Sequence, residues 1–389
     1  VAEDLQAAGF GLYVHWPFCQ AKCPYCDFNS HVSATVDQSR WQAALLRNLE
    51  VEAARIGPRR LDTIFFGGGT PSLMDPALVG AVIDAATSHF APAEDIEITL
   101  EANPTSVEAG RFRGYAAAGV NRISMGVQAL NDADLKALGR LHSAAEARAA
   151  FDIARGLFDR VSFDLIYARQ NQTRDAWRTE LGEALTMAVD HLSLYQLTIE
   201  DGTRFGDLHA RGRLRGLPPD TLSADMYHDT QDICAAAGLP AYEVSNHARP
   251  GAESRHNLIY WRYGDYLGIG PGAHGRLSAG GTRRAEAALR APGAWLDAVE
   301  STGRAVADEM ELSPEDCADE YLMMAMRLRE GVELDRLDAL RGAPLDDRVL
   351  RDLEEMGFIG RSNARLWATD TGRPVLNAIL RELMLDRVA

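Results

Sequence analysis

Three thiols stand within eight residues, at Cys19, Cys23 and Cys26, in the stretch Tyr13-Val-His-Trp-Pro-Phe-Cys-Gln-Ala-Lys-Cys-Pro-Tyr-Cys-Asp-Phe-Asn29. They follow a short β-like run and are flanked by Pro17 and Pro24, so they can converge on one inorganic centre. A structural zinc site is closed by four ligands, and here the fourth would have to come from His15, His31 or a distant residue. Cys23-Pro-Tyr-Cys26 has the form of a thiol redox pair, but that reading leaves Cys19 without a task. A four-iron cluster on three thiolates leaves one iron open for chemistry, and this iron–sulfur reading leads the other two.

Such a loop needs a rigid support. Short β-like runs at 11–15, 63–66, 96–101, 122–127, 160–167 and 191–197 alternate with helical patterns at 41–55, 77–89, 107–118, 144–154 and 174–187. This alternation predicts an α/β fold, a parallel βα barrel or part of one, which builds its site at the carboxyl ends of its strands. The unusual residues fall there. The cysteine loop follows the first run, Gly67-Gly68-Gly69-Thr70 the second and Gln128 the fourth; Glu101 ends the third, Asp164 lies in the fifth, and Thr198 follows the sixth. A glycine run lets the backbone approach a ligand, although the same residues serve equally in a plain turn.

The cysteine stretch resembles the signature of the radical S-adenosylmethionine (SAM) superfamily. Within it, Tyr13 to Cys19 resembles the branch that holds the oxygen-independent coproporphyrinogen III dehydrogenases and the HemW-type heme chaperones. The resemblance implies a partial barrel carrying a [4Fe-4S] cluster on Cys19, Cys23 and Cys26, with SAM chelated to the open iron. It also implies SAM contacts from Gly68, Gly69 and Thr70 and from Glu101, Gln128, Arg140 and Asp164, which match the family's order and spacing. Carboxylates and amides suit ribose hydroxyls and an ammonium, and arginine suits a carboxylate. Tyr13, Tyr25 and Thr198 are carried over as well, Tyr25 on the adenine side and Tyr13 equally as a packed strand residue. His15 reads as a satisfied core histidine. The dehydrogenases have a fourth cysteine two residues after the third, where this chain has Phe28.

His256-Asn257-Leu-Ile-Tyr260-Trp261 resembles the His-Asn-x-x-Tyr-Trp motif of the chaperones, which implies heme as a further ligand and His256 as its iron ligand. From the residues alone, His256 would merely hydrogen-bond in a helix or turn. Tyr167-Ala-Arg-Gln-Asn-Gln172 departs from the Gly-x-Pro-type turn of common relatives and offers Arg169 to a propionate or phosphate. The implied function is to bind heme and deliver it to recipient hemoproteins, a membrane-bound recipient included. The other readings are oxidative decarboxylation of coproporphyrinogen III and a cluster-bearing electron carrier.

Beyond residue 200 the pattern loosens. Residues 202–219 read as a loop, 221–237 as a helix, 241–245 as a strand and 268–275 as a glycine-dense turn. A boundary within 292–308 divides the chain into a barrel domain, 1–300, and a smaller, mainly helical domain, 301–389, in which a helix near 350–357 and a hairpin near 365–372 resemble a winged helix. At 389 residues, two domains are expected, since single cores stop growing at roughly 250–300. The formal net charge of −16 works against nucleic acid and anionic membrane as bulk electrostatic partners. Five cysteines, three of them clustered, make no disulfide framework and point to the cytoplasm. No apolar run reaches the ~18 residues of a membrane span, and residues 1–10 lack a signal-peptide pattern. Any membrane association is expected to be peripheral.

Overall fold

The computed structural model describes residues 8–385; most of the amino-terminal stretch read for a targeting signal lies outside them. Strand β1 (Phe10–Trp16) leads into the short parallel pair β2 (Phe18–Cys19) and β3 (His31–Val32). The other five expected β runs become β4 (Arg60–Gly68), β5 (Ala91–Ala102), β6 (Arg122–Gln128), β7 (Arg160–Tyr167) and β8 (His191–Gln196). β1 and β4 to β8 pair in parallel in that order. Helices Gln38–Ile56, Pro76–His89, Ala144–Arg155 and Arg174–Met187 cross between them. Local signals start these helices: Asp37 caps the first, and Ser143 with Glu146 forms a reciprocal capping box on the third. The helix expected over 107–118 breaks at Gly110–Arg111 into Ser106–Ala109 and Phe112–Ala117.

β9 (Asn246–Ala248) adds antiparallel to β8 at one edge. At the other, β10 (Asp265–Ile269) runs parallel to β1 and is followed by the antiparallel β11 (His274–Ala279), β12 (Thr282–Ala288) and β13 (Val306–Leu312). The eleven strands form one open sheet with β9 and β13 at its ends, so the barrel is partial. Two expectations change here. The glycine-dense turn expected over 268–275 is present but narrows to 270–273, its ends belonging to β10 and β11. The strand expected over 241–245 reduces to an isolated bridge at Ala241, because the Glu243 carboxylate accepts from the backbone N–H groups of Val244 and Ser245 (2.7 and 3.0 Å) and removes them from a ladder. The loop at 202–219 contains a helix, Arg204–Ala210, capped by Thr203.

Strand side chains alternate between faces, and here the two faces differ in kind. Leu12, Val14, Ile64, Phe66, Ile98, Leu100, Ile123, Met125, Val161 and Phe163 pack into the main core. The intervening positions carry Tyr13, Thr63, Thr99, Glu101, Arg122, Ser124, Ser162, Asp164 and Ser193. The inner wall of the barrel is therefore polar.

The chain leaves the large sheet at Leu312. A second hydrophobic cluster, running from Cys317 to Leu383 and joined by Tyr263 from the larger unit, holds the helices Pro314–Ala325, Leu334–Arg341, Asp347–Glu355 and Leu376–Leu385. With them comes a small antiparallel sheet of β14 (Val332–Glu333), β15 (Ile359–Arg361) and β16 (Arg365–Ala368), in the order β14-β16-β15. A helix followed by a hairpin is the winged-helix-like arrangement expected there, but the hairpin spans Ile359–Ala368 rather than 365–372. We place the division between the two units after Leu312.

Candidate functional site

The cysteine loop is held from both ends. At its start, Gly69 N–H donates to the carbonyl of Trp16 (2.7 Å). A side chain on Gly69 would stand 2.8 Å from the Phe18 carbonyl oxygen, and one on Gly68, at φ +113°, would meet the His15 ring at 2.7 Å. These two glycines thus let β4 lie against the loop. At its far end, Asn29 donates from its side-chain amide to the carbonyls of Pro271 and Arg290 (2.9 Å each), and its own carbonyl accepts from His15 Nε2 (2.9 Å). A carbonyl can only accept, so Nε2 carries the proton and Nδ1 accepts from the Tyr13 hydroxyl (3.1 Å). His15 is satisfied and neutral, its pKa lowered mainly by burial.

Two side chains reach the thiols. Thr70 Oγ1 donates to Cys19 Sγ and Arg140 Nη1 to Cys23 Sγ, each at 3.3 Å. Burial pushes the Cys19 and Cys26 thiols up; the Thr70 hydrogen bond opposes this at Cys19, and the neighbouring cysteines add to it at both. Among the described residues no three His, Cys, Asp or Glu side chains are gathered tightly enough for a single ion. Three thiols with hydrogen-bond donors on two of them suit a cluster, whose potential such bonds tune.

The SAM-contact candidates surround this loop. Glu101 accepts from Gly68 N–H (3.2 Å). Burial, then repulsion from Asp164, pushes its carboxyl up to about 8, while Gly68 N–H and Arg122 oppose the shift. Burial likewise pushes Asp164 up to about 6, against a hydrogen bond with Ser193 and the charges of Arg122 and Arg140. Arg140 Nη2 donates to Asn103 Oδ1 (2.6 Å) and to the Gly126 carbonyl (2.8 Å). Its Nε is buried with no partner among the described residues, an orphan donor beside the cysteines. Gln128 ends β6 at φ +75°, a costly conformation for a side chain with a Cβ.

The remaining candidates are placed differently. Tyr25 packs its ring on Phe205 (6.4 Å). Tyr13 stacks against Phe65 (6.2 Å) within the barrel. Thr198 is exposed two residues beyond β8. His256 lies deeper, in the helix Arg255–Trp261. Both its ring nitrogens are engaged, Nδ1 with Thr63 Oγ1 (2.6 Å) and Nε2 with the Tyr260 hydroxyl (2.7 Å), and the ring stacks on Phe65 (4.9 Å). Burial and then Arg122 lower its pKa to about 3, so it is neutral.

Arg169 is not available to an external anion. It is 3 % exposed and ion-paired with Asp134 (2.7 Å) and Glu180 (2.6 Å), and it donates to the carbonyl of Ile166 (2.6 Å). Sequence reading missed Asn29, whose partners lie far along the chain, and Arg122, buried on the inner wall with a hydrogen bond to Ser162 Oγ (3.1 Å). Counting back by twos from Gln128 along β6 places Arg122 on the same face, a signal that was present in the sequence.

The chain matches the model of the radical SAM superfamily over residues 13–180 and that of the HemN C-terminal domain over residues 312–375. It is 38% identical over 381 residues to the heme chaperone HemW of Escherichia coli K12, covering 96% of this chain and 97% of that protein. It is 34% identical to HemW of Bacillus subtilis, covering 95% and 99%. The mitochondrial radical S-adenosyl methionine domain-containing protein 1 of Bos taurus is 40% identical, covering 96% of this chain and 87% of that protein. Among solved structures, coproporphyrinogen III oxidase (HemN) from Escherichia coli has the same fold, with a TM-score of 0.82 at 21% identity over 99% of this chain and 93% of that one. By sequence and by fold, this chain belongs to the radical SAM superfamily and, within it, to the HemW family.

Proposed function

We propose that this protein binds heme and hands it to recipient hemoproteins, with a [4Fe-4S] cluster on Cys19, Cys23 and Cys26 and SAM against the cluster's open iron. The observation that carries the reading is Phe28. It occupies the position of the dehydrogenases' fourth cysteine and lies exposed beside the cysteine loop, so a part specific to porphyrinogen decarboxylation is missing. The near full-length similarity to proteins named heme chaperones supports the same side.

In this reading the chain's own residues have definite tasks. Thr70 and Arg140 hold their hydrogen bonds to two cysteine sulfurs. Glu101 and Asp164 offer carboxylates to the ammonium and ribose of SAM, Gln128 an amide, and Arg140 its free Nε–H to the SAM carboxylate. The cluster, when bound, supplies an iron that chelates SAM and an electron for it. Ligation of heme iron by His256 would require Nε2 to leave Tyr260. Among the described residues no helix is long and apolar enough to cross a membrane.

Anaerobic reconstitution followed by separate assays decides the matter. Heme should bind stoichiometrically, and coproporphyrinogen III should persist with SAM and reductant present. Turnover of that substrate with no heme uptake would establish the enzyme reading instead.

A further inference from the structure

The three most exposed large apolar side chains among the described residues are Leu141 (65%), Val32 (60%) and Phe28 (57%). Leu141 is far in sequence from Phe28 and Val32, yet each of the three stands beside a different cysteine of the loop. Val32 pairs in register with Cys19 across β2 and β3. Phe28 stands two residues after Cys26. Leu141 follows Arg140, which donates to Cys23 Sγ, and Leu141 and Cys23 line one small cleft together with Ala21 and Gly139. Single exposed apolar residues are ordinary; three that each sit beside a different cysteine of one loop can act as a patch of the kind that marks a binding site.

The chain's lysines lie beside the same cysteine loop. Only two of its 40 cationic side chains are lysines, Lys22 and Lys136. Lys22 precedes Cys23. Lys136 accepts at its carbonyl from Gly139 N–H (3.1 Å), and Gly139 packs so closely on Pro24 that a Cβ there would lie 2.7 Å from the ring. Two extended residues span at most ~7 Å and one helical turn ~5 Å, so both lysines border the loop. Both are exposed and neither has an ion pair among the described residues, whereas arginines such as Arg59, Arg174 and Arg283 are committed to carboxylates. One acid, the exposed Asp27, shares the loop.

An apolar rim with two free cations, on a chain of net charge −16, suits a ligand with a broad apolar face and two negative charges. We propose that heme docks across the mouth of the cysteine loop, its macrocycle on Phe28, Val32 and Leu141 and its two propionates paired with Lys22 and Lys136. This rests on the heme-binding reading above and assigns first contact to the mouth, with His256 enclosed below.

The test uses cluster-loaded protein titrated with heme and, separately, with heme dimethyl ester, which lacks the carboxylates. Lys22→Glu combined with Lys136→Glu should weaken heme by about tenfold and leave the ester's affinity, the iron content and the SAM affinity unchanged. Leu141→Ser should weaken both porphyrins. If Lys22→Glu disturbs cluster loading, Lys136→Glu alone, outside the loop, should still discriminate heme from its ester. Equal heme affinity in the reversed variants, or an equal change for heme and ester, overturns the proposal. So does normal heme binding with slowed reduction of the cluster by an acidic flavoprotein, which would make this face a reductant's dock. Failure of the unaltered protein to take up any heme removes the functional reading itself, and this site with it.

Discussion

The mouth of the barrel and its floor are lined by similar residue types, yet they are finished to different degrees. At the floor, His256 has a partner on each ring nitrogen, and Glu97 accepts from its backbone N–H (3.2 Å). At the mouth, Arg140 keeps an unpartnered Nε, and Glu101 and Asp164 crowd each other with no cation in an ion pair with either among the described residues. Buried polar groups are costly unless paired. Pairing is complete around His256 itself, although Thr99 Oγ1 and His191 Nδ1 on the inner wall are also buried without partners; the open groups at the mouth differ in lying beside the cysteines.

The largest expected effect follows from that openness. Replacing Cys19, Cys23 or Cys26 by Ala should abolish the cluster's absorbance and its iron and sulfide, whereas Cys234→Ala and Cys317→Ala should retain them. Full iron content in all three single variants would show that the loop is not the cluster site. At the floor the expected loss is one of stability. His256→Ala strips partners from Thr63 and Tyr260 and opens a cavity, costing about 2–4 kcal/mol, which denaturant titration of the apoprotein will read. If His256→Ala instead leaves stability untouched and changes only the heme spectrum, the floor belongs to the ligand site and the comparison collapses.

A smaller effect concerns SAM affinity. Glu101→Ala or Arg140→Ala removes a charge-assisted contact worth roughly 1.5–3 kcal/mol, or about 10- to 150-fold in affinity. Equilibrium binding to reconstituted protein measures it, and unaltered affinity in both variants would count against the mouth as the SAM site.

The smallest effect is a pH dependence with a definite sign. Glu101 and Asp164 titrate near 8 and 6, above the ordinary carboxyl range. Because a cationic ligand draws them into the ionised form, SAM should bind more tightly as pH rises from about 6 to 8, by at most tenfold per unit for each proton released. The apoprotein should behave oppositely. Folded pKa values above the unfolded ones give stability that is complete below about pH 4 and is lost as pH climbs through 6 and 8. Thermal melts with and without SAM across this range should diverge as pH rises; parallel curves would mean that these carboxyls are not in the site.

Much of this contrast was legible in the sequence, and for a physical reason. The six runs that became β1 and β4 to β8 announce themselves by apolar content and by the polar or glycine residues at their carboxyl ends, both of which are local properties. What escaped depended on distant partners or on a side chain competing with the backbone. The last two residues of β10, Gly268 and Ile269, read as part of the turn that follows until β1 is available to pair with them. The stretch at 241–245 has strand character, but Glu243 claims two of its amides. Arg169 looked like a hand held out to an anion, and only the folded chain brings Asp134 and Glu180 to it.

Asn29 has a consequence for how the protein is made. Its amide bonds to carbonyls 242 and 261 residues further along, and β1 gains one of its two neighbouring strands only when Asp265–Ile269 exists. The cysteines leave the ribosome well before the walls that hold their loop, which lie at Asp265–Ile269, Pro271 and Arg290. If these thiols carry the proposed cluster, iron loading should be a late event in biogenesis, with the nascent thiols open to oxidation until then. Ribosome-bound chains stalled before Asp265 should retain no iron, while chains extended past Arg290 should; retention by the shorter ones would show that the loop closes on its own.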